Sequence, residues 1–180
     1  MTHKSLINSA ILGTIALFGA MTAAHADGFS VGMSAVRAPV SANEEGTIGG
    51  DANGWRVHGT YMFNKNFGIE GGLSKYGTPG NKSVPSNMHA DTEAIDVYAV
   101  ARYPFSEDGG LFAKVGYVSL DTETEVNDTN EQHYRSDNLG LAVGGEYDIT
   151  ERFGIRAELE WFDSAIAGDL KYSLGGVVRF

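Results

Sequence analysis

Apolar residues recur at every second position in eight separate stretches of the chain. These run from Phe29 to Ala35, Trp55 to Phe63, Phe67 to Leu73, Ile95 to Phe105, Leu111 to Tyr117, Leu139 to Ile149, Phe153 to Trp161 and Leu170 to Phe180. Taking alternate residues from the first of each, every position is apolar or aromatic apart from Gly59, Gly71, Gly145 and Gly176. A period of two predicts β-strands with one apolar face. Strands of an ordinary sandwich tolerate polar breaks near their ends, so this fidelity predicts that a single apolar medium covers the whole face. Small residues and charges dominate the intervening positions, among them Arg56, His58 and Thr60; Glu70 and Gly72; Asp96 and Arg102; Lys114 and Gly116; Glu146 and Asp148; Arg156, Glu158 and Glu160; Lys171, Gly175 and Arg179.

The connections fall into two alternating classes. Residues 64–66, 106–110 and 150–152 are tight turns rich in Asn, Asp, Gly and Ser, whereas 37–54, 77–93 and 121–137, with a shorter stretch at 163–169, read as long polar loops. Short turns then lie at one end of the sheet and long loops at the other, and an even strand count puts both chain ends with the short turns. Hydrocarbon offers no partner to an unpaired N–H or C=O, so a spanning sheet must close on itself. Tilted strands of about 9–11 residues suit an eight-stranded antiparallel up-and-down transmembrane β-barrel. A soluble eight-stranded barrel of the lipocalin kind also alternates, with its apolar face turned to a ligand cavity. Against it stand the aromatic residues, which gather at segment ends. Phe29, Phe63, Phe67, Tyr103, Phe105, Tyr147, Phe153 and Phe180 flank the short turns, and Trp55, Tyr117, Trp161 and Tyr172 lie toward the loops. Two such belts mark two membrane–water interfaces.

The first stretch follows another rule. A cationic start (Met1 to Lys4), an apolar run (Leu6 to Met21) and a small-x-small ending at Ala26 predict a secretory signal peptide over 1–26, leaving the barrel domain over 27–180. No later run approaches the ~18 consecutive apolar residues of a membrane helix. The chain has no cysteine, which excludes disulfides and Cys-ligated metal, and its net charge of -10 argues against nucleic acid as a partner. The mean hydropathy of -0.17 suggests a soluble protein only because an average discards the order of residues.

The runs Tyr103 to Tyr117 and Gly144 to Phe180 closely resemble the OmpA-like transmembrane domain of Gram-negative bacteria. The resemblance implies an outer-membrane location and a monomer in contact with outer-membrane lipid and lipopolysaccharide. It also implies an assembly signal in Tyr172, Leu174, Gly176, Val178 and Phe180, read by periplasmic chaperones and the barrel-insertion machinery. The family often adds a peptidoglycan-binding domain after the barrel; the sequence stops at Phe180, so no such tether is expected.

The inward set carries six cations (Arg56, Arg102, Lys114, Arg156, Lys171, Arg179) against six anions (Glu70, Asp96, Glu146, Asp148, Glu158, Glu160). A selective pore displays one sign in excess, whereas a balanced set in a narrow lumen is expected to pair and close it. The resemblance implies that such a network can act as a gate. Arg156, Glu158 and Glu160 on one strand beside Lys171 and Arg179 on the next are the candidates, and a purely structural plug is the simpler alternative. The expected function is therefore envelope integrity with a small salt-bridge-gated pore; adhesion through the long loops is the alternative. A lipid A-modifying enzyme would need a converging nucleophile, base and acid, and His58, His89 and His133 show no such constellation. The acidic stretch from Asp121 to Asp137 has no EF-hand pattern and reads as solvated; neither metal nor cofactor is expected.

Overall fold

A computed structural model describes residues 28–40, 50–77, 88–126, 130–162 and 170–180. The signal-peptide reading therefore lies outside the described residues. Eight strands follow in sequence: β1 (Phe29–Val40), β2 (Gly50–Met62), β3 (Phe67–Tyr76), β4 (Met88–Pro104), β5 (Gly109–Val126), β6 (Asn130–Asp148), β7 (Phe153–Phe162) and β8 (Leu170–Arg179). Each pairs antiparallel with its neighbours, and β8 returns to β1 to close the barrel. At the seam the Phe180 N–H donates to the Phe29 carbonyl at 3.0 Å, with the two rings 5.9 Å apart between centroids.

The register fixes the barrel's width. From Pro104, paired residues lead once round the barrel through Gly110, Glu146, Arg156, Gly175, Ser34, Arg56 and Ser74. The circuit closes on β4 at Ala94, ten residues from its start (104 − 94). With a rise of about 3.3 Å per residue and strands about 4.8 Å apart, this stagger gives a tilt of about 40° and a backbone radius of about 8 Å. Such a bore is filled by side chains.

The short turns owe their shape to local side-chain bonds. Asn64 Oδ1 accepts from the N–H groups of Asn66 and Phe67, both at 2.9 Å, and Thr150 Oγ1 accepts from Arg152 and Phe153 at 3.3 and 3.0 Å. Above them, the alternating apolar sets face outward, leaving Val97 61% and Leu174 65% exposed in the isolated chain. A continuous apolar surface of that kind is stable only against lipid. Both aromatic rows stand on this outer wall.

The long loops are shorter than the sequence suggested. β4, β5 and β6 have 17, 18 and 19 residues, against 10 in β3, β7 and β8. Most of 121–137 is ladder, since β5 and β6 pair without interruption from Gly109↔Tyr147 to Val126↔Asn130. Residues 88–93 likewise pair with 121–126. Apolar alternation ends where the lipid ends, but backbone pairing needs no lipid, so the strands continue. At the tilt above, the extra residues rise about 20 Å beyond the apolar band.

Two substitutions on the outer wall test the depth assignment. Val143→Arg, midway between the aromatic rows, is expected to cost about 2–4 kcal/mol, and Tyr117→Arg, in one row, about 0–1 kcal/mol. Urea unfolding of the lipid-embedded protein measures both; equal losses would contradict the placement.

Candidate functional site

The lumen holds eight deeply buried charges among the described residues: Arg56, Lys114, Arg156 and Lys171 against Glu70, Asp96, Glu158 and Glu160. They are neutral in sum, and six of them form one network. Glu70 on β3 is the hub. Its Oε1 meets Lys114 Nζ at 2.8 Å and Arg56 Nη2 at 3.0 Å; its Oε2 meets Arg156 Nη1 at 2.8 Å and accepts from the Thr60 hydroxyl at 2.8 Å. Glu158 completes the layer from β7, taking Lys114 Nζ at 2.7 Å and Arg156 Nη2 at 3.1 Å. Asp96 accepts from Arg56 Nε at 3.0 Å and Nη2 at 2.5 Å. Three cations from β2, β5 and β7 thus converge across the bore on one carboxylate.

Planar packing surrounds these charges. The Arg156 guanidinium lies 4.0 Å from the centroid of the Phe112 ring, and Lys114 Nζ lies 4.7 Å from that of Tyr98. Glycines leave the room. A Cβ on Gly72 would stand 2.6 Å from Arg56 Nη2 and 2.7 Å from Asp96 Oδ1, so the bidentate pair requires its absence. His58 is buried beside the same layer, its Nε2 3.4 Å from Arg156 Nη1. Arginine can only donate, so the imidazole accepts there and its proton sits on Nδ1.

Toward the long-strand end, Glu160 meets Lys171 Nζ at 3.0 Å and accepts from the Tyr98 hydroxyl at 2.6 Å, while Lys171 donates to the Tyr76 hydroxyl at 2.7 Å. Those two rings join Val36, Ala94, Val118 and Leu120 in a buried apolar cluster across the bore. At the short-turn end the charges are part-exposed: Arg179 pairs with Glu146 and Asp148, and Arg102 lies 3.7 Å from Glu146. From one mouth to the other the lumen therefore runs through a wetter ion-pair ring, a dry charge layer and an apolar constriction.

All of Arg56, Glu70, Asp96, Arg102, Lys114, Glu146, Arg156, Glu158, Glu160, Lys171 and Arg179 face the lumen, but their partners differ from those expected along adjacent strands. Of the Arg156–Glu158–Glu160 group beside Lys171 and Arg179, Glu160 does meet Lys171. Arg179 instead belongs to the short-turn ring, and Glu158 reaches across the bore to Lys114 on β5. Sequence reading missed the lumen aromatics Tyr76, Tyr98 and Phe112 and the apolar cluster. Their signal was present as inward parity: Tyr98 and Val100 alternate with Asp96 and Arg102, and Val118 and Leu120 continue the parity of Lys114. The residues of the expected assembly signal, Tyr172, Leu174, Gly176, Val178 and Phe180, lie on the outer face of β8 and just beyond it. No group of three or more His, Asp or Glu arranged to hold a metal occurs among the described residues; the side chains of His89 and His133 are not among them.

A closed eight-stranded barrel with an apolar outer wall and a side-chain-filled lumen is the architecture of small integral outer-membrane proteins. The chain belongs to the outer membrane protein β-barrel domain family, whose model matches residues 10–177. Among solved structures it is similar to Ail, the attachment invasion locus protein of Yersinia pestis, at 18% identity and a TM-score of 0.62, covering 85% of this chain and 97% of that one. Neisserial surface protein A gives 16% identity and a TM-score of 0.68 over 86% and 98% of the two chains. The N-terminal β-barrel domain of Pseudomonas aeruginosa OprF gives 18%, 0.53, 84% and 97%. At these identities the likeness is one of fold. No curated protein sequence matches the chain.

The buried pairing yields a double-substitution test. Glu160→Gln removes the carboxylate that lies 3.0 Å from Lys171 Nζ and is expected to cost about 3–5 kcal/mol, most of it recovered by adding Lys171→Met. Urea unfolding of the four-member cycle reads the coupling; additive losses would show that the two groups do not act as a pair.

Proposed function

We propose that the protein is a monomeric, non-catalytic barrel of the outer membrane that supports envelope integrity and conducts little or nothing at rest, with its ion-pair layer serving as the gate of a small pore. The observation that carries this reading is Glu70 held by Lys114, Arg56 and Arg156 from three other strands. Opening a path there must separate charges in a low-dielectric bore, which costs several kcal/mol unless water or new partners replace them. The apolar cluster of Val36, Tyr76, Ala94, Tyr98, Val118 and Leu120 adds a second barrier, because ions cross such a constriction only after it wets. In this reading residues 1–26 direct export, and periplasmic chaperones and the insertion machinery receive the β8 strand. The outer wall then meets outer-membrane lipid and lipopolysaccharide.

A second reading is adhesion at the cell surface, favoured by the three strands that outrun the apolar band. The name of Ail describes attachment for that protein, and the raised β4–β6 sheet gives this chain a platform beyond the apolar band.

Planar-bilayer recording separates the two. The purified protein is expected to show only small, rare openings, with the Glu158→Gln/Glu160→Gln variant leaking more; a large, stable, ion-selective conductance from the parent would overturn the closed-lumen reading. For the second, replacing residues 119–137 by a short turn should abolish adherence of cells displaying the protein while heat-dependent gel mobility persists. Unchanged adherence, or none from the parent, removes it.

A further inference from the structure

We infer that the edge of β6 over residues 131–139 is a docking site, where an extended peptide segment of another protein joins the raised sheet as an added antiparallel strand. What defines the site is the direction of the backbone groups. At the foot of β6 the Asp148 N–H donates to the Asp108 carbonyl on the β5 side at 2.7 Å, and the Ile149 N–H donates to the Phe153 carbonyl on the β7 side at 2.8 Å. Successive residues of a strand address opposite neighbours, so even-numbered residues of β6 serve β5 and odd-numbered ones serve β7. The ladder with β5 runs without a bulge to Val126↔Asn130 and carries that parity to the tip. On the other side β7 reaches only to Phe162, opposite Gly140. Among the described residues, the N–H and C=O groups of Glu131, His133, Arg135, Asp137 and Leu139 therefore point away from β5 and toward no strand.

An edge this long is ordinarily blunted by a proline or a bulge. Neither occurs between Asn130 and Leu139, and the corresponding edge of β4 toward β3 covers only 88–91, since Thr92 already pairs with Tyr76. Two nearer occupants fit poorly. Residues 163–169 must return from Phe162 to Leu170, so about three residues out, roughly 10 Å, take them no farther along the edge than Asp137. A second copy in the same membrane runs its β6 in the same direction and leans about 40° the opposite way where two barrels touch, so the edges cross at about 80° and share one rung at most. An extended segment from outside the membrane has neither restriction. Main-chain bonds give such a strand its affinity, and its alternate side chains give it selectivity. The side chains of Arg135 and Asp137 are exposed, so an incoming strand bearing Lys-x-Glu sets its ammonium opposite Asp137 and its carboxylate opposite Arg135. This inference deepens the adhesion reading and rests on it for its biological occasion.

The probe is a capped synthetic peptide of alternating threonine and valine that carries one Lys-x-Glu. Amide hydrogen exchange, read by NMR on the folded protein in lipid nanodiscs, is expected to alternate in its absence: Glu131, His133 and Arg135 fast, Gln132, Tyr134 and Ser136 slow. Saturating probe should slow the first three by at least about tenfold. In fluorescence anisotropy, probe affinity should fall by at least about tenfold in His133→Pro/Arg135→Pro, which removes two edge N–H groups and spares the β5 ladder, and by no more than about threefold in His133→Ala/Arg135→Ala. Heat-dependent gel mobility verifies that both variants are folded. Slow exchange of the odd-numbered set without probe, the outcome if 163–169 or a second copy already covers the edge, would overturn the proposal. So would absence of protection by the probe, parental affinity in the proline variant, or equal losses in the two variants. Probe binding that persists while cells displaying the protein fail to adhere counts against the adhesion reading alone.

Discussion

Every feature of the molecule follows from one prohibition: a peptide group facing hydrocarbon must be hydrogen-bonded within the protein. Eight strands meet it only by closing, with β8 returning to β1 and the backbones of Phe29 and Phe180 joined at the seam. Closure with a ten-residue stagger leaves a bore too narrow for bulk water, so whatever the inward residues are, they must solvate one another. Charged side chains placed there have no alternative to pairing. The interior is thus more like the core of a soluble enzyme than the channel of a wide porin, while the exterior takes over the apolar role that a core usually plays.

Within that bore, neutrality is local as well as global. Four buried cations meet four buried anions, and the short-turn ring carries its own balance through Arg102, Arg179, Glu146 and Asp148, touching the layer where Arg156 Nη1 lies 3.9 Å from Glu146. Glu70 shows how the arrangement resists a single break. Its two oxygens serve three cations and a hydroxyl, so losing one contact leaves the others in place, and each cation retains a second anion: Lys114 and Arg156 at Glu158, Arg56 at Asp96. Phe112 and Tyr98 shield the layer, and the absence of a side chain at Gly72 is as necessary to it as any charge.

The barrel was legible in the sequence because lipid imposes a uniform demand on every outward position. From Phe29 to Phe180 that demand is met without a polar exception, and the short turns announce themselves through Asn64 and Thr150. Strand ends at the opposite mouth were not legible by the same signal, since water accepts either face there. A weaker signal did exist: in Asp121-Thr122-Glu123-Thr124-Glu125-Val126, acids alternate with β-branched residues of high strand propensity. Inward orientation of the charges could likewise be read from parity. Which charge meets which could not, because partners such as Lys114 and Glu158 lie across the bore, brought together by stagger and side-chain length. His58 illustrates the limit: parity places it inside, but only the geometry shows it accepting from Arg156.

The unequal strands give the molecule a property that a flush-rimmed cylinder lacks. With β4, β5 and β6 standing above β3, β7 and β8, the barrel has a front and a back in the plane of the membrane. A neighbour approaching from one side meets a raised wall of strands; from the other, among the described residues, it meets strands that end near the apolar belt. Rotation about the membrane normal therefore becomes a coordinate with consequences, because the two sides of the barrel are not equivalent.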